Sequence, residues 1–259
     1  MAGYKKDDGT PLPTDQLESF KKSVHGKALL EKGDLGAPAC NSCHGNHGAA
    51  PPGLSWVGNV CGQCHSVMAD LYTRSVHATV FAQMGAPGCA TCHQNHAIEA
   101  ASDERLGTGV KGVCAACHTA EDPGGKAAAE MRRQIDALVG EHARAGAILA
   151  RAEQSGMEVS QAQFDLEGAR SALVKARAAV HAFTPEAVKR ETEPGLAIGS
   201  KAYARGVRAL EELAFRRKGL AVSVVIILAL IGGLVLKIRQ LEGGRPVPGS
   251  GGGERSDVL

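Results

Sequence analysis

The sequence predicts a mainly α-helical chain in three parts: a loop-rich N-terminal segment, an amphipathic helical hairpin or bundle, and one C-terminal membrane-spanning helix. Three observations predict it. All eight cysteines and eight of the ten histidines fall within the first 118 of 259 residues, in a stretch dense in Gly, Pro and Ala. After Pro123 the composition turns to Ala, Arg, Glu and Leu, with apolar residues at helical spacing. Gly219–Leu236 is then free of charge, about 27 Å as a helix and just enough to cross a bilayer.

Taken in order, residues 1–15 are polar with two prolines and read as an arm. Their start, MAGYKKDDGTPLP, lacks the apolar stretch of a signal peptide. A short helix is expected over Gln16–Glu31, with Leu17, Phe20, Val24, Leu29 and Leu30 as its apolar positions. Residues 16–122 form the next unit, with only short helical stretches such as Ser66–Met84. Aromatic residues make up 3% of the chain, with a single Trp56. So few large apolar side chains cannot bury enough surface to fold this unit, and something else must fill its interior.

The unit is internally duplicated. Ser23-Val24-His25 precedes Cys40-x-x-Cys43-His44-x-x-His47 and then Cys61-x-x-Cys64-His65. Ser75-Val76-His77 precedes Cys89-x-x-Cys92-His93-x-x-His96 and then Cys114-x-x-Cys117-His118. Two copies of one two-site module, about 23–65 and 75–118, explain this order.

Every cysteine pair is followed at once by histidine. With 10 histidines in 259 residues, four such coincidences by chance have a probability of about two in a million. Cys-x-x-Cys-His is the attachment sequence of c-type haem: the thiols add across the porphyrin vinyl groups, and the adjacent imidazole reaches the iron. Zinc sites of four cysteines would leave His44, His65, His93 and His118 without a role. Four covalently bound haems, on Cys40/Cys43, Cys61/Cys64, Cys89/Cys92 and Cys114/Cys117, would also supply the missing interior. An apo chain is then expected to be unfolded.

The four motif histidines are the expected proximal ligands. Four more lie in the same unit, His25, His47, His77 and His96, matching the four open iron positions, and are the expected distal ligands. In a His-x-x-His spacing neither His47 nor His96 can fold back to the iron of its own motif, so each is expected to cross to a neighbouring haem. Met68 and Met84 are rival axial ligands beside Val67 and Phe81, and packing is the expected role for both. Four six-coordinate irons leave no open site, which favours electron transfer over catalysis. The alternative is a small multihaem reductase with one open-site haem.

Residues 20–118 resemble the periplasmic multihaem c-type cytochromes with paired Cys-x-x-Cys-His motifs, in particular tri- to pentahaem electron-transfer proteins in which Ser-x-His precedes Cys-x-x-Cys-His-x-x-His. The resemblance implies bis-histidine, low-potential haems packed for rapid electron hopping. The chain departs from the membrane-anchored tetrahaem quinol dehydrogenases, whose single span is N-terminal. It also lacks the Cys-x-x-Cys-Lys site of ammonia-forming nitrite reductases.

Residues 126–218 form the helical part. Met131, Ile135, Leu138, His142, Ala145, Leu149 and Ala152 repeat at 4-3 spacing over Lys126–Ser155. Leu166, Ala169, Leu173, Ala176, Val180 and Phe183 do so over Ser160–Phe183, with Ser160 as the expected N-cap. The two helices should turn at Gly156 into an antiparallel hairpin, whose Ala-rich seam also suits oligomerisation. His142 in the first seam and His181 beside the second are expected to pack or face solvent, with a second metal or haem site between them as the alternative. A third helix is expected from near Gly195, carrying Tyr203, Val207, Leu210 and Ala214, and running through Arg216, Arg217 and Lys218 into the span (219–236). A short Gly-rich tail (237–259) follows, expected to be disordered and cytoplasmic.

Net charge is +2, which gives no argument for nucleic acid. Lys and Arg flank both ends of the span and leave its orientation open. Haem attachment outside the cytoplasm decides it: a single-pass protein of the bacterial inner membrane with its haem unit in the periplasm. The expected partners are redox proteins, a membrane oxidoreductase or a periplasmic cytochrome.

Overall fold

The computed structural model describes residues 5, 9–11, 13–47, 54 and 57–243. The rest of the arm, Trp56 and the tail from residue 244 lie outside the described residues. The described chain is mainly helical, and Lys5 and Pro11 form an isolated bridge.

Short helices build the N-terminal unit. They are α1 (Gln16–Lys22), α2 (Val24–Gly26, continued by a π-helical turn Lys27–Glu31), α3 (Cys40–His44), α4 (Ser66–Thr73), α5 (Val76–Met84) and α6 (Gly88–His93). The expected helix over Gln16–Glu31 is broken at Ser23, and the one over Ser66–Met84 is broken at Ser75. Both serines are buried and extended, with ψ 163° and 162°. Each hydroxyl donates back to the carbonyl three residues earlier, Ser23 to Phe20 at 2.6 Å and Ser75 to Tyr72 at 2.7 Å. That bond competes with helix continuation. Each break restarts a helix with its histidine at the second position, so both Ser-Val-His copies deliver an imidazole from the same local geometry.

Three long helices follow: α7 (Pro123–Gln154), α8 (Ser160–Ala179) and α9 (Pro185–Gly243). The sequence-predicted seam of α7 is buried from Met131 to Ala152 except at half-buried His142, and Leu166, Ala169, Leu173 and Ala176 of α8 meet it. At the α7–α8 turn Gly156 takes φ +83°. Its N–H reaches the Glu153 carbonyl (2.8 Å) while Met157 N–H reaches that of Ala152 (3.1 Å), the bond pair of a Schellman cap. Val159, not Ser160, holds the N-cap position of α8; Ser160 N–H donates to the Glu158 carboxylate instead.

The third helix differs most from expectation. It begins at Pro185, not near Gly195, and runs through Pro194 for 59 residues. An interior proline removes one helical hydrogen bond, at a cost of about 3 kcal/mol. Packing overrides that preference, because Ala187, Val188 and Thr192 before Pro194 and Gly195, Gly199, Ala202 and Gly206 after it are all buried. The seam against α7 is thus built from glycine and alanine, while Tyr203, Val207 and Leu210 are only half-buried and Ala214 is exposed. A Cβ at Gly195 would lie 2.8 Å from Ala172 Cβ and 2.9 Å from Leu138, and one at Gly206 would lie 2.7 Å from Ile148. A hairpin with a separate third helix becomes one three-helix bundle.

Beyond the bundle α9 continues into its apolar half. The best 18-residue window has a mean hydropathy of 2.8 and is wholly exposed, a candidate membrane span. Pro185 and Gly219 are 34 residues apart, so the span begins about 50 Å along the helix from its start.

Candidate functional site

The four Cys-x-x-Cys-His sequences adopt matching turns in pairs. His65 N–H donates to the Cys61 carbonyl (2.9 Å) and His118 N–H to that of Cys114 (2.8 Å). The first and third motifs are short helices ended by residues of positive φ, Gly45 (+70°) and Gln94 (+65°). All eight cysteines are free thiols.

The motifs lie next to one another in chain order. The Cys43 thiol is pushed up by burial and then by Cys61, Cys40 and Cys64, so the first two motifs are neighbours. Between the second and third, the Cys61 and Cys89 sulfurs lie within hydrogen-bonding reach of each other. Cys92 is raised by burial and then by Cys114 and Cys117 of the fourth motif.

Each motif histidine faces one other imidazole. His25 and His65 have ring centroids 6.2 Å apart, His44 and His96 5.8 Å, His77 and His118 6.0 Å, and His93 and His181 6.1 Å. The interplanar angles are 33°, 19°, 74° and 20°. Two imidazoles on opposite sides of one metal stand about 6 Å apart, because each metal–nitrogen bond is about 2 Å and each ring centre lies a little less than a bond length beyond its nitrogen. The rings therefore fit the expected iron ligation. The donors suit it too, because burial lowers His25, His77 and His93, with His65, His118 and His181 the next causes in turn, and neutral imidazole is the ligating form. His77 adds a buried Nδ1 without a hydrogen-bond partner.

Seven of the eight sequence-predicted histidines enter these pairs. His47 does not: it is exposed, with φ +55°, and has no ring contact among the described residues. The place facing His93 is taken by His181, from the turn between α8 and α9. The sequence reading sought partners for the motif histidines only within residues 1–118, and so paired His181 with none of them. Its signal was position, two residues before Phe183-Thr184-Pro185 ends the helix. His142 shares no ring contact with His181 among the described residues. Met84 is 67% exposed and Met68 half-buried.

The turn Val180–Ala182 and Phe183 reach into the site. The Phe183 ring lies 4.1 Å from that of His77, which also meets Phe81 edge-on at 5.4 Å. The Arg177 guanidinium grips Asp103 with two bonds of 2.9 and 2.7 Å, and Arg132 reaches the Asp103 carbonyl at 2.6 Å. Arg105 donates to the Cys92 carbonyl at 3.0 Å. The His93–His181 and His77–His118 pairs thus lie against the end of the bundle where α9 begins, opposite its apolar half. Among the described residues no group of three His, Cys, Asp or Glu side chains converges to hold a bare metal ion.

No family model, curated protein or solved structure matches the chain.

Proposed function

We propose that this protein is a membrane-anchored tetrahaem c-type cytochrome that relays electrons between a membrane or quinol-linked donor and a periplasmic redox partner. One observation carries the reading: each of the four Cys-x-x-Cys-His imidazoles has a second imidazole opposite it, at the spacing of two ligands on one iron.

Haem iron supplies a one-electron couple when bound. Each porphyrin would be held by its two cysteines and its iron by the paired histidines, a ligand set that would let the oxidation state change with little rearrangement. The adjacency of successive motifs favours short electron hops between haems attached there. Were both histidines of each pair bound to iron, substrate would have no access to it, which favours a carrier over a reductase. Bis-histidine ligation without a methionine ligand favours low potentials.

The length of α9 supports a stalk. With the histidine pairs about 50 Å from the start of the span, direct exchange with a quinol in the bilayer is too long for one hop, and a partner subunit must bridge it. Haem attachment outside the cytoplasm places the N-terminal unit in the periplasm, and protease should reach that unit in spheroplasts.

Low-temperature electron paramagnetic resonance of the purified protein tests the reading. It predicts four low-spin ferric signals. A high-spin iron that responds to added ligands would instead support the open-site reductase.

A further inference from the structure

The structure assigns a metal-ligating role to His181: we propose that it is the sixth ligand of the third haem, so that ligation at the Cys89–His93 motif fastens the helical bundle to the N-terminal unit. This deepens the tetrahaem reading and rests on it.

The geometry of the pair makes the case. His93 and His181 stand 6.1 Å apart at 20°, nearly matching His44 and His96 at 5.8 Å and 19°. His181 Nδ1 lies 2.9 Å from the Ala178 carbonyl. As the donor of that bond, Nδ1 carries the proton and leaves Nε2 free, the arrangement metal-bound histidines adopt. A histidine that merely closed the end of α8 would make the same bond, but it would have no reason to lie opposite His93.

The elbow is built to hold this position. Phe183 sits at φ +56°, an unfavourable conformation for a bulky residue. Its ring packs on His77, the imidazole opposite His118, while Arg177 on the same side grips Asp103. One elbow between α8 and α9 therefore meets both the third and the fourth sites. The duplication would assign His47 to His93, but His47 is exposed and makes no ring contact with His93.

The test uses the full haem-loaded chain with His181→Ala and His47→Ala, read by low-temperature paramagnetic resonance. The proposal expects a quarter of the iron in His181→Ala to become high-spin and to return to low-spin on adding imidazole, while His47→Ala stays wholly low-spin. Four low-spin irons in His181→Ala, or a high-spin iron in His47→Ala, would overturn it. Should His181→Ala not accumulate, His181→Met serves: one of four reduction steps should move to higher potential, since a methionine ligand raises it, and an unmoved titration overturns the proposal. A purified chain without haem would overturn the tetrahaem reading itself. Four haems with unchanged spin states would overturn this inference alone.

Discussion

His118 Nδ1 lies 3.1 Å from Asp122 Oδ1, and the same carboxylate starts the first helix of the bundle. Its Oδ1 accepts from Gly125 N–H at 2.8 Å and its Oδ2 from Thr119 N–H at 2.7 Å. One side chain thus orients the fourth motif histidine and caps α7. Gly124 permits the approach, because a Cβ there would fall 2.3 Å from the His118 ring.

A carboxylate on the far nitrogen makes a ligating imidazole more basic and favours the oxidised metal. Asp122→Asn keeps a good capping residue but removes the charge. Spectroelectrochemical titration should show one of four reduction steps moving to higher potential, with the other three in place. A purely structural role for Asp122 would leave all four unmoved.

Acid stability should report the same contact. The Gly125 and Thr119 N–H groups, and then His118, hold the Asp122 carboxyl down at about 2, below its ordinary value of 3.8. A depressed folded-state pKa stabilises the fold where the carboxylate is ionised. That contribution is complete above the unfolded value and is lost as pH falls toward about 2. Thermal melts between about pH 5 and 2 should therefore fall less steeply for Asp122→Asn than for the parent.

Two glycines in the bundle should answer the same substitution with opposite signs. Gly140 in α7 has open space where a Cβ would go, whereas at Gly195 that atom would meet Ala172 and Leu138. Gly140→Ala should stabilise by about 0.5–1 kcal/mol, the usual helix-propensity gain. Gly195→Ala should destabilise by about 1–3 kcal/mol through overpacking. Denaturant midpoints measure both, and a neutral Gly195→Ala would contradict the close α7–α9 seam.

Ending the chain at Lys218 removes the exposed apolar half of α9 and leaves the buried seam, whose last member is Gly206. Cell fractionation should then find the protein in the soluble fraction with its haem absorbance unchanged. Retention in the membrane would assign anchoring to another surface.

Much of this arrangement was legible in the residues. Leu138 and Leu149 mark the α7 stripe because burial repeats with the helical turn, and the span needs only its charge-free length. The four Cys-x-x-Cys-His sequences are legible because covalent haem attachment would demand that fixed local spacing. What escaped depends on distant contacts. Nothing local reveals that Pro194 lies inside a helix, since neighbours on α7 and α8 hold it there. The Ser75 break was hidden because a hydroxyl bond to Tyr72 opposes a run of good helix formers. The approach of His181 to His93 was hidden for a similar reason: the two lie 88 positions apart, and only the folded elbow brings their rings together.

The most direct test of the central claim is the intact mass of the full-length protein, exported by a host with c-type haem ligation and denatured before measurement. The account predicts a polypeptide heavier by four haem groups, which denaturation cannot remove because thioether bonds hold them. A folded protein with the bare polypeptide mass would contradict it.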